Sequence, residues 1–197
     1  MLRRLMMADG GTPPVVGSTW DSAAKGAGVV LSSGDKVATK TTAGWQTVLG
    51  ALGRSSGKYQ FEITVVVGSE LASPLIGIAD KSNLATVLGT YLGNNGMTVK
   101  ESTAYWVPFS RIYRNLTSGI GETTGSASFY SGTLTVALDL DATPPTVRWY
   151  QSGTLAGSVN LPTGATWFPG ASVQNSATAT LRTTGLVSPV AGYSEWG

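Results

Sequence analysis

Short runs of alternating apolar and polar residues dominate the chain. Over Lys58–Val65 the odd positions are apolar and the even positions are polar, which predicts a strand with one buried and one solvated face. Thr133–Asp139 and Thr146–Tyr150 alternate in the same way, and Gln151-Ser152-Gly153 then predicts a hairpin turn into Leu155. No long run has the helical period, so the pattern favours an all-β protein.

Further strand candidates are short β-branched or aromatic runs cut by Gly, Asn, Asp, Ser and Pro. A helix is expected only near Asp80–Leu88, and it would be short. The other predicted strands are Gly28–Ser32, Lys36–Thr39, Gln46–Leu49, Leu75–Ala79, Tyr91–Leu92, Met97–Val99, Tyr105–Val107, Arg111–Tyr113, Ser126–Tyr130, Leu155–Val159, Trp167–Ser172 and Ala177–Arg182. Strands at this spacing with turns between them are typical of an antiparallel β-sandwich.

The two ends of the chain differ from this middle part. We expect an arm and linker over residues 1–17, a sandwich over 18–187 and a tail over 188–197 that packs back on the sandwich through its aromatic residues. The apolar run near the start of the chain, Leu5–Met7, is shorter than the roughly 7–15 apolar residues of a secretory signal. It is either a disordered tail or a docking arm for a partner groove, carried by Leu2, Arg3, Arg4, Leu5 and Met6.

Composition narrows the chemistry. The 197 residues include 26 glycines, no cysteine and no histidine, only 12% are charged, and the net charge is +2. These absences exclude zinc fingers, iron–sulfur clusters, haem ligation and nucleophiles that need a Cys or His partner. We expect no cofactor and no metal site, although oxygen-ligand Ca²⁺ sites stay open. Scattered Lys and Arg form no basic stripe, so nucleic acid is not the expected partner.

Four motifs in sequence order resemble the SPRY (B30.2) domain. They span roughly residues 45–180 and are GRSSGKYQFEITV at Gly53–Val65, IGIAD at Ile76–Asp80, VALDLD at Val136–Asp141 and WFPGASV at Trp167–Val173. The resemblance implies an all-β, antiparallel β-sandwich of the SPRY and concanavalin-like jelly-roll type. The chain departs from the family pattern at Thr133, where Asp is usual, and at Ser152, where Asn is usual.

The segment that matches the family least is where we expect the binding residues. Residues 92–130 correspond to the family's variable loops, and they combine aromatic rings with amide and guanidinium groups. Aromatic faces stack on apolar groups, and amides and guanidinium groups fix the orientation of a ligand. This combination suits the recognition of a sugar or a peptide. The alternative for Trp106 and Tyr113 is a place in the core. The candidates are Asn94, Asn95, Tyr105, Trp106, Arg111, Tyr113, Arg114 and Asn115. Trp45, Trp149 and Trp167 are expected in the core.

Carboxylates give little support for catalysis. Asp139 and Asp141 share one face of a strand, as a glycosidase pair could, but they precede the turn Ala142–Pro145, where Asp is common. Glu62 lies on the polar face of its strand. We interpret all three as structural.

The expected function is a non-enzymatic binding or structural role. A SPRY-like domain of this composition resembles bacteriophage structural proteins, which implies a virion component (capsid decoration, head fibre or tail fibre) assembled in the host cytoplasm. Its partners would be other virion proteins and a host-surface glycan or protein, and it would form a homo-oligomer that follows the particle's symmetry. A peptide-binding SPRY adaptor module is the first alternative, and a lectin-like glycan-binding or glycan-processing domain is the second.

Overall fold

The computed structural model describes residues 17–69, 74–82, 84–94, 101–126, 128 and 131–197. Within these residues the chain forms two β-sheets. The strands are β1 (Trp20–Lys25), β2 (Val30–Ser32), β3 (Val37–Thr39), β4 (Gln46–Gly50), β5 (Lys58–Val66), β6 (Leu75–Asp80), β7 (Ser102–Trp106), β8 (Arg111–Leu116), β9 (Gly119–Thr124), β10 (Gly132–Asp139), β11 (Thr146–Gln151), β12 (Thr154–Asn160), β13 (Trp167–Val173), β14 (Thr178–Arg182) and β15 (Ser194–Glu195). One short helix, α1 (Leu84–Leu88), follows β6, and a 3₁₀ turn over Val107–Phe109 joins β7 to β8.

The sheets pack face to face as a sandwich. The seven-stranded sheet has the order β1-β4-β13-β6-β7-β8-β9, and the eight-stranded sheet has the order β12-β11-β10-β5-β14-β3-β2 with β15 added beside β5. All pairs are antiparallel except β15 with β5. The predicted fold class is confirmed.

The core lies between the two sheets, as alternation along the strands predicts. Phe61, Ile63 and Val65 of β5 face it, and the polar residues between them point the other way. Trp149 and Trp167 are fully buried there, as expected. Trp149 also donates its indole N–H to the Ile76 carbonyl at 3.0 Å, which ties the two sheets together.

The hairpin between β11 and β12 forms where the sequence predicts it. Only Ser152 and Gly153 separate the two strands, and both have positive φ (47° and 79°). Two consecutive left-handed residues match the twist of antiparallel strands. Glycine takes this conformation without strain. Ser152 is held in it by the pairing of β11 with β12, which begins directly beside the turn.

Some predicted strands differ from the structure. β1 and β9 were not predicted, because neither WDSAAK nor GIGETT has a strong apolar alternation. Tyr91–Leu92 is not a strand but part of a loop that follows α1, and Ser126 lies in a bend. Met97–Val99 and the arm residues 2–6 lie outside the described residues.

The outer face of β5 is not solvated, which corrects the expectation from its alternation. Gln60 and Glu62 are buried because the C-terminal residues 186–197, here called the strap, cross this face. The Gln60 side chain bonds the backbone of Val190 and Tyr193. The chain therefore covers its own central strand with its last residues.

The end of the strap enters the core. Trp196 is fully buried, and its ring lies edge-on to Phe61 at a centroid distance of 5.2 Å. Its indole N–H donates to the Leu52 carbonyl at 2.9 Å, and Arg54 donates to the Trp196 carbonyl. Within the described residues, no helix is long and apolar enough to cross a membrane.

Candidate binding site on the outer face of the seven-stranded sheet

A second, smaller apolar cluster lies on the outer face of the seven-stranded sheet. It forms because α1 and the loop after it fold over β4, β6, β7 and β13, and it comprises Ala24, Leu49, Leu75, Ala79, Val87, Leu92 and Ala104. Burial of these side chains holds the helix and loop against the sheet.

Buried hydroxyl groups fix the loop over 89–94. Ser172 on β13 accepts the Leu92 N–H, and Ser102 on β7 accepts the Gly93 N–H, each at 2.9 Å. Thr47 on β4 donates to the Thr90 carbonyl at 2.8 Å. These contacts satisfy backbone groups that burial would otherwise leave unpaired, and they place the side chain of Tyr91 at the margin of the apolar cluster.

Five aromatic rings meet at that margin. We call them the aromatic cluster, and they are Trp45, Tyr91, Trp106, Phe109 and Tyr113. Trp45 meets Trp106 at 6.1 Å and 89°, and Tyr91 meets Tyr113 at 5.7 Å and 70°, both in edge-to-face contact. Trp106 also lies 4.3 Å from Phe109 and 6.0 Å from Tyr113 between ring centroids. Edge-to-face packing of this kind stabilises the rings in fixed orientations.

The rings surround a small open cavity. It measures about 140 Å³ and is lined by Trp45, Leu75, Tyr91, Trp106 and Tyr113. The indole Nε1 of Trp106 is buried and has no acceptor among the described residues. A buried donor without a partner is costly, and the side chain that carries this donor is one of those that line the cavity.

The phenol groups beside the cavity are neutral at pH 7. Burial raises the pKa of Tyr91, and the negative charge of Glu122 raises it further. Burial likewise raises the pKa of Tyr113, with Glu122 acting in the same direction and Arg111 opposing it. Because both pKa values are raised, both phenols keep their protons at pH 7, and the Tyr113 phenol hydrogen-bonds to Glu122, which also forms an exposed ion pair with Arg111.

Strand alternation divides the predicted binding residues between two faces of β8. Arg111, Tyr113 and Asn115 point outward, and Tyr113 joins the aromatic cluster. Arg114 is on the inward-facing side, in line with the core residue Ile112. Tyr105 of β7 is also inward, fully buried at 6.0 Å from Trp149 between ring centroids.

The two described asparagines hold the loop rather than line the cavity. Asn115 is buried and donates its amide to the Asn94 carbonyl at 2.8 Å. Asn94 donates its own amide to the Thr90 hydroxyl at 2.8 Å. Asn95 lies outside the described residues. Of the predicted residues that the structure describes, only Trp106 and Tyr113 line the cavity.

Three cavity residues, Trp45, Leu75 and Tyr91, were not predicted as binding residues. Trp45 was expected in the core, yet it lies half-buried before β4, and Tyr91 was expected in a strand. Trp45 lies far from β7 and β8 in sequence, whereas Tyr91 directly precedes the segment 92–130 in which binding residues were expected. No local pattern marks their proximity in space. They come together because Trp45 directly precedes β4 of the seven-stranded sheet, and the loop with Tyr91 follows α1, which packs on the outer face of that sheet.

The three carboxylates considered for catalysis hold backbone groups. Glu62 accepts the N–H groups of Val187 and Ser188 at 2.9 and 2.6 Å. Asp139 accepts from Ala142, and Asp141 accepts from Gly57. Among the described residues, no three acidic side chains gather as a metal-binding group.

Solved structures of SPRY domains are similar in fold to this chain. No protein-family model and no curated protein sequence matches the chain. The SPRY domain of human HERC1 matches with a TM-score of 0.65 and 17% identity, over 85% of this chain and 99% of that one. The TRIM65 PSpry domain matches with a TM-score of 0.64 and 14% identity, over 84% and 91%.

A third match is part of a larger protein. Stonustoxin aligns with a TM-score of 0.65 and 18% identity over 84% of this chain, and this chain spans 27% of the stonustoxin chain. Identities this low carry information about the fold alone. Together with the sheet order, these likenesses confirm that the chain has the SPRY-like sandwich fold that its four motifs predicted.

Proposed function

We propose that this chain is a non-enzymatic binding module and that its aromatic cluster receives one apolar side chain of a protein partner. The observation that carries the proposal is the cavity among Trp45, Tyr91, Trp106 and Tyr113, whose walls are aromatic rings held in edge-to-face contacts. Pockets with an apolar wall and few polar groups are typical of ligand recognition. Rigid aromatic anchors also dominate the energetics of protein–protein contacts.

The polar groups of the cavity favour a peptide. The Trp106 indole N–H has no acceptor among the described residues, and a peptide carbonyl next to an apolar side chain supplies one. At about 140 Å³ the cavity is smaller than the ~300–1,000 Å³ of pockets for drug-sized ligands. It therefore suits a single side chain.

The structural use of the carboxylates supports a non-enzymatic role. Glu62, Asp139 and Asp141 each accept backbone N–H groups, so their hydrogen-bonding capacity serves the fold. A general acid pair would need two carboxylates that are free to exchange protons with a substrate.

We place this module in a bacteriophage virion, where the partner is another capsid or tail protein and the chain forms a homo-oligomer. The low fraction of charged residues supports this, because a weakly charged polar surface suits packing against other subunits. An adaptor module would use the same cavity on a cellular peptide. Co-sedimentation of the chain with purified particles supports the virion role, and its absence from particles supports the adaptor role.

Saturation-transfer NMR with N-acetyl-L-leucinamide tests the cavity. This probe carries one apolar side chain and two carbonyl groups, and its methyl signals report contact with the protein. We expect saturation transfer from the wild-type chain and an affinity about tenfold weaker for Trp106→Ala, since truncation of a central aromatic anchor removes most of its contact energy.

Leu155→Ala is the matched control. Leu155 is an exposed apolar residue on the other sheet, and its truncation is expected to leave saturation transfer unchanged. Equal transfer to wild type and Trp106→Ala would contradict the proposed site.

A further inference from the structure

Arg114 is an inward-facing cation that forms no ion pair with any residue that the structure describes. Strand alternation places it between Ile112 and Leu116, both of which belong to the core between the sheets. Its Nε is buried without an acceptor, and the guanidinium has no ion pair or hydrogen bond to any described residue. An arginine directed inward without a partner carries a desolvation cost that a bound anion would offset.

A polar groove of about 260 Å³ opens next to this arginine. It lies where β8 and β9 of one sheet approach β12, the edge strand of the other. It is lined by Arg114, Leu116, Ser118, Gly119, Ser158, Val159 and Asn160. Arg114 is the only charged residue of this lining, so the groove has a local positive charge.

The backbone of β12 turns Ser158 and Asn160 toward the groove. The Asn160 carbonyl accepts a hydrogen bond from the Ser118 hydroxyl at 3.3 Å. Residue 160 therefore faces the edge of β12 opposite β11, here called the free edge. Leu161 instead donates its N–H toward β11, to the Pro145 carbonyl at 2.7 Å. Peptide groups alternate in direction along a strand, and Ser158 therefore presents its N–H to the same edge as Asn160.

We infer that this groove binds the carboxylate of an acidic sugar residue, with Arg114 as its counter-ion and the Ser158 N–H as a second donor. The single cation matches a monoanion. A phosphate monoester carries about −1.5 to −2 charges at pH 7 and would stay undercompensated. A planar guanidinium pairs with a carboxylate through two parallel hydrogen bonds.

The surroundings favour a sugar ring over a peptide strand. Ser126 already donates its N–H to the Ala156 carbonyl at 2.8 Å, and Ser118 occupies the Asn160 carbonyl. Along this stretch the free edge thus offers the backbone groups of Ser158 and the N–H of Asn160, which are too few for an added strand of several residues. The exposed groups at the rim of the groove, on Ser118 and Asn160, can instead bond sugar hydroxyls.

Titration with sodium D-glucuronate, followed by ¹⁵N correlation spectra, tests this inference. In the wild-type chain we expect the Arg114 Nε–H and Ser158 N–H signals to shift with glucuronate and not with D-glucose, which lacks the carboxylate. Arg114→Gln is expected to weaken binding at least about tenfold, because it removes a charge-assisted pair.

Lys36→Gln is the charge-matched control. It removes one positive charge from an exposed site near the eight-stranded sheet and is expected to leave the affinity unchanged. Trp106→Ala is also expected to leave it unchanged, so the groove and the aromatic cluster are tested separately.

Three results would overturn the inference. The first is an unchanged Arg114 signal in the wild-type spectrum at saturating glucuronate, a result that does not depend on whether any variant folds. The second is equal weakening by Lys36→Gln and Arg114→Gln. The third is tighter binding of N-acetyl-L-glutamate amide than of glucuronate through the same signals, which would assign the groove to an acidic peptide.

Discussion

Asp139, at the end of β10, shows how single charges are used in this protein. Its carboxylate lies 2.9 Å from the Lys58 ammonium and accepts the Ala142 N–H at 3.0 Å. Burial raises the pKa of Asp139, but Lys58 and the backbone donors Ala142 and Asp141 together outweigh burial and hold the pKa below its ordinary value. The ionised carboxylate thus fixes the turn that the sequence predicted at this point.

This lowered pKa gives the first prediction. A folded-state pKa below the unfolded value of about 3.9 means that ionised Asp139 adds to the free energy of unfolding above pH 4. The contribution is lost as the pH falls from about 4 through the folded pKa. Asp139→Asn should therefore be less stable than wild type at pH 7, with a difference that shrinks toward pH 2.

Urea unfolding of both proteins at pH 7, 4, 3 and 2 measures this difference. A gap between wild type and Asp139→Asn that stays constant from pH 7 to pH 2 would contradict the assigned role.

Among the elements, the strap over 186–197 covers a face of β5 that alternation alone marks as solvated. The pattern over Lys58–Val65 correctly assigns Phe61 and Glu62 to opposite faces of β5, since residues two apart share a face. It cannot say what covers each face. Glu62 is buried because the chain returns over β5 after β14, and that return depends on contacts more than a hundred residues apart in sequence.

The strap gives the second prediction. Glu62 is fully buried, accepts two strap N–H groups and lies 3.9 Å from the Arg182 Nε. Glu62→Gln places an NH₂ group against one of these donors, so we expect a loss of about 2–4 kcal/mol in the free energy of unfolding. Amide exchange at Val187 and Ser188 should accelerate.

Glu122→Gln is the control for this experiment. Glu122 pairs with Arg111 at the surface, where such a pair is worth about 0–1 kcal/mol. Equal destabilisation by the two substitutions, or unchanged exchange at Val187 in Glu62→Gln, would contradict the view that Glu62 anchors the strap.

For the whole molecule, the four motifs and the strand alternation were enough to predict the sandwich fold. The binding surface could be predicted only in part. The order of β10, β11 and β12 follows from hairpins that local turns specify. Trp106 and Tyr113 could be chosen as candidates because aromatic rings cluster in the middle segment. Arg114 was grouped with them, yet it serves the opposite face of β8, because one residue along a strand reverses the side chain's direction.

The central claim is that the aromatic cluster is a binding site and that its ligand accepts a hydrogen bond from the Trp106 indole N–H, which has no acceptor among the described residues. Titration of the ¹⁵N-labelled chain with N-acetyl-L-leucinamide tests it most directly, because each indole N–H gives its own signal. Those of Trp20, Trp149 and Trp196 already donate to backbone carbonyls and serve as internal controls. The account predicts that the Trp106 indole signal moves while these three stay in place. A Trp106 signal that does not move at saturating probe, or movement confined to the three buried indoles, would contradict it.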